Sequence, residues 1–471
     1  MLHLLALLTA FQSPAAGTAV GFDQHFTGAT LRVGLHHAGT AEEERLSIDH
    51  LRIEGPWAGP RARPLDPTGF GKFRVELRDL ESQTLLYSRG FASIYGEWET
   101  TAEAKQRFRV FEESLRLPEP RRSAQLAVQK RGADDTFREL FVQAIDPRSR
   151  IVDRAPCAAR GEVIPLFEEV DPARAVDLLV VADGYTAAQR EKFVGDSRRL
   201  VEVMFKTEPF QRRRADFNVR LLFTASPEAG ISNPRKGVWK DSALGCSFNA
   251  FDSDRYVLTQ RDFELREIAS QAPYDTLILL FNEKKYGGGG IYNLWATCAA
   301  DTEPAPYVFV HEFGHSFAGL ADEYYSSQVA YEDFVAPGVE PWEPNVTALL
   351  DPSKLKWKDL VESSTPLPTP WDKPRFDALD LSYQAKRAEL LAAGAGEETM
   401  EALFREVKAS TGPLLAAEKF AGKVGAFEGA CYQAKGLYRP SADCIMFTRN
   451  PTSFCRVCER ALERTIDSYV K

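Results

Sequence analysis

Basic residues are in deficit: 58 Lys and Arg stand against 67 Asp and Glu, a net charge of −9 over 471 residues. That balance excludes a nucleic-acid binder working through a basic face, and plain solubility explains it. Long apolar runs are also missing. Beyond the N-terminus no stretch approaches the roughly 18 consecutive apolar residues of a membrane span. Methionine occurs four times and histidine seven times. The histidines are His3, His25, His36, His37, His50, His311 and His315, so everything after residue 50 has only two.

What is present is an ordinary globular composition, 27% charged and 44% hydrophobic, in a chain long enough for two or more cores. The first residues, MLHLLALLTAFQSPAAGTAV, set a short apolar run before small residues. This order predicts a secretory signal peptide over residues 1–20, and hence a secreted or cell-surface protein. Seven cysteines follow, four of them in the last 41 residues: Cys431, Cys444, Cys455 and Cys458. In an exported chain disulfides or free buried thiols are the first expectation, and a structural zinc held by those four is the alternative. The odd count leaves at least one thiol unpaired.

Residues 21–153 alternate apolar and polar side chains at period two in ATLRVGLHH, KFRVELRD, RFRVFEESLRL and SAQLAVQKR. This predicts a β-rich, β-sandwich-like domain. A Pro- and Arg-containing stretch near 150–156 marks a boundary, and the remainder, 160–471, changes character. VDLLVVADGY, FNVRLLFTA and YDTLILLFN are continuous apolar runs, the mark of strands buried on both faces. Helical stretches lie between them, so the expected class is α+β or α/β with a mixed sheet. Residues 377–410 are a charged, Ala- and Leu-rich helical pair broken at GAG, expected as an insertion on the outside.

The chemistry concentrates in HEFGHSFAGLADEYY, residues 311–325. Pro304 and Pro306 suit a helix start and Gly319 a helix end. His311 and His315, four apart, share one helical face and can hold one zinc at about 2.0–2.1 Å each. Glu312 lies beside the first ligand, placed to take a proton from water as general base. The common extended motif HExxHxxGxxH needs a glycine seven residues after the first histidine and a third histidine at ten, where Ala318 and Ala321 stand. No histidine remains to serve, so the third ligand is a carboxylate. Gly319 arrives one residue late and Asp322 follows it by the usual three. That makes Asp322 the choice by spacing, with Glu323 the close competitor.

Three further features attach to this site. KKYGGGGIYN, residues 284–293, suits an edge strand along a cleft or a surface loop. Met446 is a candidate for a turn beneath the metal or for an ordinary core position. Tyr438 and Tyr432 are candidate oxyanion partners.

Together, VVADGYTAAQREKF, FTASPEAGISNPRKGVWKDSALGCSFNAF, HEFGHSFAGLADEYY and GLYRPSADCIMF resemble the IgA-peptidase family of bacterial zinc metallopeptidases, over most of residues 176–458. The resemblance implies a metzincin-like catalytic domain, a secreted zinc endopeptidase and a protein or peptide substrate. It carries His311 and His315 over as ligands, Glu312 as base, and the pair Asp322 and Glu323 as the third-ligand position. Two other readings use the same residues: a non-catalytic zincin scaffold beside a β-sandwich binding module, and a zinc amidase acting on a cell-wall amide. The scaffold has no use for Glu312.

Overall fold

The computed structural model describes residues 21–470 except 328, 332, 333 and 452, so the expected leader, 1–20, lies outside the described residues. A short helix α1 (Phe22–His25) leads into β1 (Phe26–Gly39), β2 (Glu44–Pro56), β3 (Phe73–Asp79) and β4 (Leu85–Phe91). Helix α2 (Ile94–Trp98) then precedes β5 (Arg109–Pro120), β6 (Ala124–Arg131), β7 (Phe137–Ile145) and β8 (Val152–Asp153). These strands form two four-stranded sheets, ordered β5-β1-β2-β8 and β4-β3-β6-β7. Alternation along β1 and β3 turns Leu31, Val33, Leu35, Val75 and Leu77 into one shared core, which makes the pair a sandwich.

The polar alternates of β1 meet protein as well. Arg32 is buried, bonds Glu54 at 2.6 Å and reaches Glu267 at 2.8 Å, on a helix some 230 residues further along. His36 packs against Phe263 of the same helix.

That helix belongs to the second half: β9 (Glu162–Phe167), β10 (Val176–Asp183), α3 (Arg190–Met204), β11 (Phe217–Phe223), α4 (Asp262–Ala269), β12 (Thr276–Phe281), β13 (Gly288–Ile291), β14 (Trp295–Ala299) and α5 (Ala305–Ala318). The six strands form one mixed sheet ordered β13-β14-β12-β10-β11-β9. Its central four are parallel and its two edge strands antiparallel. Helices α6 (Lys373–Ala392) and α7 (Glu397–Ala416), the hairpin β15 (Phe427–Ala430) and β16 (Gln433–Arg439), and α8 (Arg456–Val470) complete the chain.

The continuous apolar runs are explained by burial on both faces. Leu178 and Val180 of β10 pack with Phe309 and Phe313 of α5. Leu179 and Val181 face the other way, into a core that also contains Tyr95, Trp98 and Phe111 of the sandwich half. The sheet is therefore covered by the motif helix on one side and, on the other, by α4 and the 231–258 segment together with Tyr95, Trp98 and Phe111 of the sandwich half.

The helical pair departs from expectation. It is longer than 377–410 at both ends, and it does not lie outside the working part of the molecule. Phe376, Tyr383, Phe404 and Thr411 line the cleft above α5. A helical apolar stripe shows that a face is covered without saying by what, and here part of it covers the cleft.

Candidate metal centre

Helix α5 ends at Gly319, whose φ of 63° lies in the left-handed region that glycine enters without strain. The amides of Gly319 and Leu320 close back on the carbonyls of His315 and Gly314. The chain leaves extended, and residues 321–324 are held from several directions. Asn345 accepts from the Ala321 amide at 2.8 Å and donates to its carbonyl at 2.9 Å. The Glu323 amide donates to the Met446 carbonyl, and the Cys431 amide to the Asp322 carbonyl. Adjacent side chains on an extended segment point to opposite sides. Asp322 turns to the histidines, and Glu323 turns away.

The result is three converging donor atoms. Nε2 of His311 lies 3.1 Å from Nε2 of His315, and Oδ1 of Asp322 lies 3.0 Å from the first and 3.3 Å from the second. Ligands about 2.0–2.1 Å from one tetrahedral ion stand roughly 3.3–3.4 Å apart, so the spacing fits a common cation.

The hydrogen bonds behind the triad fix its chemistry. Nδ1–H of His311 donates to the Ile445 carbonyl at 3.0 Å, with the Tyr307 hydroxyl oxygen 3.2 Å away. Nδ1–H of His315 donates to the Leu320 carbonyl. With these protons on Nδ1, each Nε2 presents a lone pair toward the other and toward a carboxylate. Three acceptors facing one another need a cation between them, and Oδ1 of Asp322 is a buried oxygen with no hydrogen-bond partner among the described residues. The other oxygen of Asp322 accepts from the Tyr432 hydroxyl at 2.7 Å.

Without an ion the same demand for positive charge falls on an imidazole, and His315 would then hold a second proton on Nε2 toward Asp322. Burial would lower the pKa of His315, but the Asp322 carboxylate outweighs it and pushes it up to about 9. Burial would raise that of Asp322, yet the two imidazoles hold it well below the usual carboxylate range. This carboxylate demands a positive neighbour.

Glu312 stands beside the triad as a different kind of group. Its carboxylate lies within 4.8 Å of the imidazole nitrogens and lines a cleft of about 400 Å³. No hydrogen bond from a described residue ties it down. Burial raises its pKa, offset in part by His311 and His315.

The glycine-rich segment forms the edge strand β13 along this cleft. Its glycines serve close packing: a Cβ on Gly290 would fall 2.4 Å from the Glu312 carbonyl oxygen. The outer edge of the strand is partly engaged, since the Gly288 amide donates to Arg255 and its carbonyl accepts from Val257.

Met446 is wholly buried in a turn at 444–448, with its sulfur against the inner face of α5 at Gly314. Tyr438 is not brought to the cleft, whereas Tyr432 lines it. Sequence reasoning missed Tyr307, although its place one turn before His311 on the same helical face was a usable signal. It also missed Glu97, which reaches the cleft from the sandwich half and accepts from the Tyr331 hydroxyl at 2.7 Å. Glu97 carries no local signal, because only the packing of the two halves brings it there.

The model of a family described as IgA Peptidase M64 matches residues 164–466, and one described as Peptidase M64 N-terminus matches residues 21–142. No curated protein matches the chain.

Proposed function

The chain belongs to the IgA peptidase M64 family, and from that premise we propose that it is a secreted zinc-dependent endopeptidase with Glu312 as general base. His311, His315 and Asp322 hold the zinc. Residues 1–20 direct export, residues 21–153 form the β-rich domain and residues 160–471 the catalytic domain. When bound, zinc makes water more acidic and polarises the scissile carbonyl.

The protein's own groups do the rest. Glu312 takes the proton of the attacking water and returns it to the leaving amine. The Ile445 and Leu320 carbonyls keep both imidazoles in the tautomer that offers Nε2. Tyr432 orients the Asp322 carboxylate through its second oxygen. The extended substrate lies in a cleft lined by Tyr256, Tyr286, Tyr307 and Tyr324.

The observation that carries this reading is Glu312 itself, a shielded carboxylate facing the cleft beside three ligand atoms and bonded to none of the described residues. The test is a diverse peptide library incubated with wild type, with Glu312→Gln and with chelator-treated enzyme. Cleavage by wild type alone is expected. Cleavage by Glu312→Gln at the wild-type rate sinks the assignment, and cleavage of cell-wall amides but of no peptide moves the substrate class.

A further inference from the structure

Four donors, three buried and Cys455 half-buried, lie on the far side of the same chain segment. Glu323, Cys444, Cys455 and Cys458 place one ligand atom each within 4.8 Å of one another. Sγ of Cys444 is 3.9 Å from Sγ of Cys458, and Sγ of Cys458 is 3.3 Å from Oε1 of Glu323. A disulfide would hold its sulfurs at about 2.05 Å. Two thiolates about 2.3 Å from one tetrahedral ion stand roughly 3.8 Å apart, and a thiolate and a carboxylate oxygen roughly 3.6 Å. The spacing is that of a metal-ligand shell, and among the described residues no disulfide forms.

The surroundings point the same way. Oε2 of Glu323 is buried with no hydrogen-bond partner among the described residues, while Oε1 accepts from Asn345 at 3.0 Å. Cys455 and Cys458 form a Cys-x-x-Cys pair at the start of α8, whose free amides favour anionic sulfur. The Cys455 amide donates to Sγ of Cys444 at 3.3 Å. Arg439 is fully buried, donates among the described residues to the main-chain carbonyls of Glu428, Gly429 and Ala442, and lies in electrostatic reach of Glu323 and Cys444. A fixed positive charge of that kind offsets the surplus negative charge of three thiolates and a carboxylate around a divalent ion.

We propose that Glu323, Cys444, Cys455 and Cys458 bind a second zinc, a closed structural site with four protein ligands. The three thiols lose their protons on binding, and no electron is transferred. Cys431, the fourth cysteine of the sequence-based alternative, lies outside this cluster, in the small core around Val346 and Leu437. Glu323 takes its place.

The site also braces the first one. Segment 444–446 supplies Cys444 as ligand, the Ile445 carbonyl to His311 and the Met446 carbonyl to the Glu323 amide. An ion on Cys444 and Glu323 thus fixes both chain segments that orient His311 and Asp322. It acts on the reaction only through them, as a positioning element.

The test is metal content and sulfur ligation of the purified full chain, and it does not depend on peptidase activity. Elemental analysis is expected to give two zinc ions per wild-type chain and one in His311→Ala/His315→Ala. X-ray absorption at the zinc edge of that variant is expected to show a sulfur shell at about 2.3 Å. Cys455→Ser/Cys458→Ser is expected to lose the sulfur-ligated ion. Because that variant can fail to fold, the histidine variant decides. If it holds no zinc, or if its zinc shows no sulfur ligation, the proposal is overturned. Alkylation of the denatured wild type with chelator and without reductant is expected to label seven thiols. Labelling of five, with a disulfide among Cys444, Cys455 and Cys458, overturns it equally.

Discussion

The two clusters differ in what surrounds them more than in what they contain. His311, His315 and Asp322 converge in a cleft, with Glu312 beside them and free of hydrogen bonds from described residues. Glu323, Cys444 and Cys458 are buried, Cys455 is half-buried, and all four turn their donor atoms toward one another. A metal with three protein ligands and an open position supports reaction, whereas one with four protein ligands supports structure. On the proposed assignments, two neighbouring residues divide between chemistry and architecture, because an extended backbone turns Asp322 to the histidines and Glu323 to Cys458.

The largest effect that tests this contrast is on rate. Glu312→Gln is expected to lower kcat by about 10²–10⁴-fold in a peptide-cleavage assay while the zinc content stays at the wild-type level. A loss of metal in parallel with activity would mean that Glu312 is a ligand and that the cleft site is as closed as the other.

Next comes stability. Cys458→Ser leaves the Cys444 and Cys455 thiols and Glu323 around an incomplete site, and Tm by calorimetry should fall by roughly 5–10 °C. Asp322→Asn should cost activity and one metal ion with a smaller change in Tm. Equal Tm shifts in the two variants would erase the distinction between a working and a structural site.

Gly290→Ala probes the cleft side directly. Its Cβ would meet the Glu312 carbonyl oxygen at 2.4 Å, and the obstacle is backbone rather than a side chain that can swing away. Overpacking of that kind costs about 1–3 kcal/mol. It should reduce activity while leaving the sulfur-ligated metal in place, as absorption spectroscopy of the cobalt-substituted protein would report.

The last test, seen only as a dependence on pH, uses a buried histidine that holds a proton instead of a metal. His37 of the sandwich contacts Glu113 through Nδ1 at 2.9 Å and Glu44 through Nε2 at 2.7 Å, so both nitrogens donate and neither lone pair is free. Burial lowers its pKa, but the two carboxylates prevail and push it up to about 9. Because the folded value lies above the unfolded one, this stabilisation is complete below about pH 6.5 and is lost as pH rises through 9. Denaturant titrations at pH 6 and 9.5 should show wild type losing on the order of 2–3 kcal/mol relative to His37→Gln. An equal pH dependence in both proteins would remove His37 as the contrast to His311.

Which features the sequence made legible follows from how local their causes are. The strands of the sandwich and the buried strands of the sheet show their period or its absence within eight or nine residues, and β1, β3, β6, β10 and β12 lie where the pattern placed them. The interval from Gly319 to Asp322 singled out the carboxylate that the backbone brings to the histidines. The cysteine cluster was less accessible. Its fourth ligand comes from Glu323, 121 residues before Cys444, while Cys431 is a nearer and misleading candidate. The cleft-lining role of α6 and α7 was hidden for a related reason, since a stripe of apolar side chains does not name its neighbour. The same holds for the second core, where Trp98 and Phe111 pack against Leu179 and Val181.

The side-by-side placement of Asp322 and Glu323 also constrains inheritance. A one-residue deletion between Gly319 and Asp322 would bring Glu323 into the histidine register and Tyr324 to the cysteines, damaging both sites in a single mutational event. Insertions there are equally barred, so this short loop should be among the most length-invariant parts of any lineage that keeps both metals. A lineage that lets the cysteines decay also frees Glu323 to drift, while Asp322 beside it stays under selection.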